Sequence, residues 1–139
     1  SGGKTQMRPF DIEGIDHLVL RVRDLTKARK FYEELLGCVM ERELPDLGLY
    51  QLRAGRQLID LVPIGGKLAG NFDVIQETRN LDHFCLTISP FEPEAIAELM
   101  VSAGVPCSKI ETRYGADGYG LSIYVTDPDG NTLELKAAR

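Results

Sequence analysis

Two eight-residue stretches of this chain alternate apolar and polar side chains in the same way. Ile15-Asp16-His17-Leu18-Val19-Leu20-Arg21-Val22 matches Leu81-Asp82-His83-Phe84-Cys85-Leu86-Thr87-Ile88, with His17 and His83 lying 66 positions apart. A period of two over this length predicts a β-strand with one buried face. After each stretch the apolar period changes to that of a helix. The first helix is expected over about Thr26 to Leu36, with Ala28, Phe31 and Leu35 on one face and a stop at Gly37. The second is expected over Pro93 to Ala103, gathering Ile96, Leu99, Met100 and Ala103 and ending at Gly104. A proline and a glutamate in its first turn, and glycine just past both helices, are the usual punctuation of a helix.

Each half then closes with β structure. Strands are expected at Gly48 to Leu52 and Gln57 to Val62 in the first half, and at Leu121 to Thr126 and Thr132 to Lys136 in the second. A further strand directly after each helix falls near Cys38 to Arg42 and Ser108 to Thr112. Asp127-Pro128-Asp129-Gly130-Asn131 reads as a tight turn, because proline fixes φ and Asp-Gly supplies positive-φ positions. The chain therefore reads as an α+β fold of two tandem βαβββ modules. A single domain spans 10–139, with a first module at about 15–64, a linker at 65–80 and a second module at about 81–137. Residues 1–9 read as a tag-like or disordered N-terminus.

Alternation also sorts the polar residues by face. Leu18, Leu20 and Val22 point toward the helices, as do Phe84, Leu86 and Ile88, which leaves His17 and His83 on the opposite side. Ile59 and Leu61 leave Asp60 on that side, and Leu133 and Leu135 leave Glu134 there. Two modules related by a pseudo-twofold would curve a mixed sheet around one cup and bring His17, Asp60, His83 and Glu134 to a common centre. Two imidazoles and two carboxylates without thiolates suit zinc, nickel, cobalt, manganese or iron(II), with positions left open for water or substrate. Both histidines of the chain take part, and each follows an aspartate. Ser122 and Tyr124 share one alternation face of their strand and are candidates for the cup wall, as is Tyr50. Arg113 to Gly120 is glycine-rich and reads as a lid-like loop.

Composition narrows the setting. Of the 139 residues 43% are hydrophobic and 27% charged, which is ordinary for a globular protein. A net charge of -5 without a basic stripe argues against nucleic acid as a partner. No apolar run is long enough to span a bilayer. Three cysteines without a CxxC pair fit free thiols in a reducing cytoplasm.

The strand Asp16-His17-Leu18-Val19-Leu20, the Phe31-Tyr32 and Leu36-Gly37 of the first helix, and Asp127 to Asn131 leading to Leu133-Glu134-Leu135 together resemble the vicinal oxygen chelate superfamily. That superfamily includes glyoxalase I, extradiol dioxygenases, methylmalonyl-CoA epimerase and the fosfomycin and bleomycin resistance proteins. The resemblance runs from about Ile15 to Lys136 and implies a glyoxalase-like fold. It implies His17, Asp60, His83 and Glu134 as the ligands of a divalent metal, with aspartate standing where the family commonly has glutamate, glutamine or histidine.

Ligand type matches glyoxalase I best. This implies a metal-dependent lyase or isomerase of the lactoylglutathione lyase kind, working through a metal-chelated enediolate, with Glu134 as catalytic base and glutathione as co-substrate. Arg21 and Arg79 match positions that contact the glutathione carboxylates, a task to which a bidentate guanidinium is suited. Ile64 stands where a glutathione-contacting asparagine would be expected. Short members of the family often dimerise so that a cup takes one half from each subunit, which implies a homodimer acting on a small molecule. The alternatives are an iron(II)-dependent ring-cleavage dioxygenase using His17, His83 and Glu134, and a non-enzymatic small-molecule binding or resistance protein.

Overall fold

The computed structural model describes residues 11–71 and 81–139. Strand β1 (His17–Val22) leads into α1 (Leu25–Arg29), which continues as a π-helical segment over Lys30–Leu35. Then come β2 (Val39–Leu44), β3 (Leu49–Ala54) and β4 (Gln57–Pro63). The second half repeats the order with β5 (Phe84–Ile88), α2 (Pro93–Ser102), β6 (Glu111–Gly115), β7 (Gly118–Thr126) and β8 (Thr132–Ala137). The tandem βαβββ reading therefore holds.

The sheet does not continue between the halves. It forms two four-stranded mixed sheets, ordered β1-β4-β3-β2 and β5-β8-β7-β6, where a single curved sheet was expected. In each, the first strand runs parallel to the last, Val19 opposite Asp60 and Cys85 opposite Glu134, and the other pairings are antiparallel. Each half pairs only within itself, which leaves β1 and β2 as the edges of one sheet and β5 and β6 as the edges of the other.

Side-chain packing joins the halves instead. One apolar cluster takes Leu20, Val22, Phe31, Leu52, Ile59 and Leu61 from the first half and Met100, Ile123, Val125, Leu133 and Leu135 from the second. Asp24 caps α1 by accepting from the Lys27 amide. The π turn, seen in the Leu36 amide bonding the Phe31 carbonyl at 3.0 Å, points Phe31 and Tyr32 inward together. Gly37 ends the helix at φ +85°, a conformation that costs glycine little.

Two expectations are corrected here. Leu99 is not on a buried helix face: it is 47% exposed, while its neighbour Met100 is buried. Residues one apart on a helix diverge by about 100°, and the contact is only wide enough for Met100 and Ile96. The second strand of the second half lies at Glu111–Gly115, beyond Ser108–Thr112, so the glycine-rich stretch is a β-hairpin rather than a lid. Gly115 pairs with Gly118 across an Ala116-Asp117 turn, and Gly118 supplies a φ of +93°.

Candidate functional site

The faces assigned by alternation are those seen. Leu20, Val22, Ile59 and Leu61 are buried on the core side, and His17, Val19 and Arg21 are exposed on the other. His17 and His83 have the same local arrangement. The Nδ1 of His17 lies 2.6 Å from Asp16 Oδ2, and the Nδ1 of His83 lies 2.8 Å from Asp82 Oδ2. A carboxylate on Nδ1 fixes the proton there and leaves Nε2 as the free lone pair, the orientation common to metal-binding histidines. Hydrogen bonding to Asp16 raises the His17 pKa above its usual 6.5; desolvation opposes this, and the charges of Asp60 and Asp16 add to the rise.

In the second half His83 Nε2 lies 3.4 Å from Glu134 Oε1. Two ligands each about 2.1 Å from one ion stand at such a separation, so this pair fits a shared divalent ion without rearrangement. Glu134 is buried, and the Tyr124 ring meets the His83 ring edge-on at 5.2 Å. Arg113 lies over the other part of this wall, its guanidinium carbon 4.7 Å from the Tyr124 centroid. Cys85 is exposed beside Glu134, and its thiol is pushed up to about 11 by partial desolvation and by the Glu134 charge, so it is protonated at neutral pH.

The first half differs at its carboxylate. Asp60 is only 4% exposed and accepts from Gln51 Nε2 at 3.3 and 3.2 Å, while Arg42 Nε donates to Gln51 Oε1 at 2.8 Å. Gln51 stands opposite Asp60 on β3 as Tyr124 stands opposite Glu134 on β7. Tyr50, which has the same sequence spacing as Tyr124, pairs with Leu61 and packs against the core instead of facing the cup. A one-residue difference in hairpin length exchanges the faces. A register shift between Met40 and Arg42 is what brings Arg42 opposite Gln51.

The four residues do not meet within the chain. Among the described residues no group of three or more histidine, cysteine, aspartate or glutamate side chains is placed to hold a metal ion. The residues expected around a single cup thus fall in two separate pairs, His17 with Asp60 and His83 with Glu134, each on its own sheet. Arg21 Nε is tied to the Ala69 carbonyl at 3.1 Å, Ser122 is fully buried beside Tyr124, and Arg79 lies outside the described residues. Alternation alone did not single out Gln51, Arg42 or Arg113. The first needed the β3–β4 register, and the others needed the position of the second strand in each half.

The superfamily model described as Glyoxalase/Bleomycin resistance protein/Dioxygenase matches residues 14–135. The virulence protein STM3117 of Salmonella typhimurium is 31% identical over 132 residues, covering 89% of this chain and 83% of that protein. The glutathione transferase FosA of Serratia marcescens is 32% identical over 125 residues, covering 89% and 80%. A solved structure from the mobile metagenome of V. pseudocholerae superposes with a TM-score of 0.73 at 30% identity, covering 94% of this chain and 98% of its own. Matched along nearly its whole described length by sequence and by fold, the chain belongs to the glyoxalase/bleomycin resistance protein/dioxygenase superfamily.

Proposed function

We propose that the chain is a metal-dependent enzyme, a lyase or isomerase resembling glyoxalase I, working as a cytoplasmic homodimer. In this reading His17 and Asp60 of one protomer and His83 and Glu134 of its partner hold one divalent ion. The observation that carries it is the duplicated Asp-His arrangement, which frees the same nitrogen of each histidine, together with the 3.4 Å bite between His83 and Glu134. Sharing between protomers is supported by the separation of the two pairs within the chain and by the edge strands β1 and β5, which a twofold partner would cover.

A divalent ion held there would act as a Lewis acid toward substrate oxygens. Glu134 would take and return the proton on the carbon beside them, since its carboxylate is buried and next to the ligand face. Tyr124, fixed between His83 and Arg113, would form a wall that orients the substrate, with Ser122 beside it. Arg21 and Arg79 would meet carboxylates of glutathione, the co-substrate that the name of the FosA relative also suggests.

A second reading has one observation in its favour. Gln51 engages both oxygens of Asp60, which leaves His17, His83 and Glu134 as a three-ligand set of the kind used for iron(II) oxygenation. Metal analysis of protein purified without chelator, followed by assay with a glutathione hemithioacetal and with aromatic diols under an oxygen electrode, separates the two. Hemithioacetal isomerisation without oxygen uptake supports the first reading, and oxygen uptake with a diol supports the second. Protein that binds none of zinc, nickel, cobalt, manganese or iron contradicts both and leaves the small-molecule binder.

A further inference from the structure

We propose that the second-half sheet carries an oxyanion subsite beside His83 and Glu134, formed by the Lys136 ammonium, the Ser122 hydroxyl and Arg113 Nε. Lys136 follows Glu134 by two residues on β8 and so shares its face, and it stands opposite Ser122 on β7. Although charged, Lys136 is only 5% exposed. Its side chain crosses the sheet over two glycines: a Cβ on Gly115 would come within 3.1 Å of Lys136 Cδ and Cε, and one on Gly120 within 3.1 Å of Nζ. Gly120 lies on the side of Ser122 away from Tyr124, the partner of Glu134, so the ammonium is turned away from that carboxylate.

The other ionisable side chains on this face engage partners other than Lys136. Arg113 Nη2 donates to Glu111 Oε1 at 2.7 Å, and Glu134 lies against His83. Among the described residues the Lys136 side chain makes no hydrogen bond or ion pair. Two further donors beside it also lack a partner, and unlike the Lys136 ammonium both are fully buried atoms. Arg113 Nε and Ser122 Oγ are the buried side-chain polar atoms of the described residues without a partner. They belong to neighbouring positions, since Ser122 pairs with Glu111 and Gly120 with Arg113.

Buried polar groups are normally satisfied, and two buried donors without an acceptor beside an unpaired ammonium call for a ligand rich in acceptors and negative in charge. A phosphate, phosphonate or carboxylate group meets that description. The exposed Cys85 and Thr87 on β5, opposite Glu134 and Lys136, leave the approach from that edge open. For turnover the inference rests on the enzyme reading above, to which it adds that the substrate is an anion whose charged group docks beyond Glu134. Binding of the anion itself does not depend on metal.

The test uses chelator-treated full chain, titrated by calorimetry with inorganic phosphate and separately with acetate, at constant ionic strength in chloride. Saturable binding of one of them is expected, weakened about tenfold or more by Lys136→Met, which keeps an apolar stem over the glycines but removes the charge. Tighter phosphate binding would identify a phosphate or phosphonate group, and tighter acetate binding a carboxylate. Saturable binding of neither anion, or affinity unchanged in folded Lys136→Met, overturns the proposal. If Lys136→Met does not fold, Ser122→Ala decides, with weakened binding expected and unchanged affinity contradicting it. Because no metal is present, a failed metal-enzyme reading and a failed anion subsite give different results.

Discussion

The Tyr32 hydroxyl donates to Asp127 Oδ2 at 2.6 Å, joining the helix of the first half to the β7–β8 turn of the second. Asp127 also accepts from the amides of Asp129 and Asn131 and from Asn131 Nδ2, and Asp129 accepts from the Arg23 amide. The turn is therefore a latch between modules as well as a connection. Burial, then the Asp127 charge, holds the Tyr32 pKa well above 10, so the phenol is a donor at every ordinary pH. Tyr32→Phe should destabilise the fold by about 1–3 kcal/mol, the cost of leaving a buried acceptor short of one donor. Urea denaturation followed by circular dichroism measures this, and an unchanged midpoint would show that the latch carries no stability.

Glu134 is asked to hold the metal and to move a proton. Glu134→Gln keeps an oxygen of similar shape while removing the charge and the basic site. It should keep the fold and some metal but lose about a hundredfold or more in turnover. Asp60→Asn should chiefly weaken metal retention. Both are read by assaying turnover with bound metal quantified in the same samples, and near-normal turnover by metal-loaded Glu134→Gln would remove the proton-transfer role.

How much of this was legible follows from which signals are local. The His17 and His83 repeat positions and the placing of Glu134 on the face opposite Leu133 and Leu135 come from alternation, which the structure keeps because one face of each strand packs on the core. The sheet break was not legible, since an edge strand and a strand continuing into a neighbour have the same pattern. Tyr50 was misplaced because equal spacing to a carboxylate does not survive a hairpin one residue shorter, and Gln51 gained the position that Tyr50 was given. The lid reading at Arg113 to Gly120 gave way because paired glycines fit a tight hairpin as well as a loop.

The Arg42–Gln51–Asp60 chain predicts a stability effect of its own. Gln51→Leu removes the donor to a nearly buried carboxylate and should cost about 1–3 kcal/mol. Arg42→Ala, which leaves Gln51 in place, should cost less because its own bond to Gln51 is exposed. Thermal unfolding of the two variants in parallel tests the order, and an equal or reversed ranking would contradict it.

The Cys85 thiol predicts a pH dependence. An acid whose pKa is raised stays neutral through the range where an ordinary thiol begins to ionise, so Cys85 should react slowly with iodoacetamide at pH 8. Its rate should climb with pH until about 11. Site-resolved mass spectrometry gives that profile, and a plateau near pH 9 would contradict the raised value.

The central claim is that one metal is held by half-sites from two protomers, and a mixing experiment tests it most directly. One variant carries His17→Ala with Asp60→Ala, and the other His83→Ala with Glu134→Ala. Each alone should bind almost no metal. In dimers re-formed from an equal mixture, half should be hybrids, each with one site bearing all four changes and one bearing none. The mixture should then regain about a quarter of the wild-type metal content. A mixture as empty of metal as the separate variants would contradict the shared site.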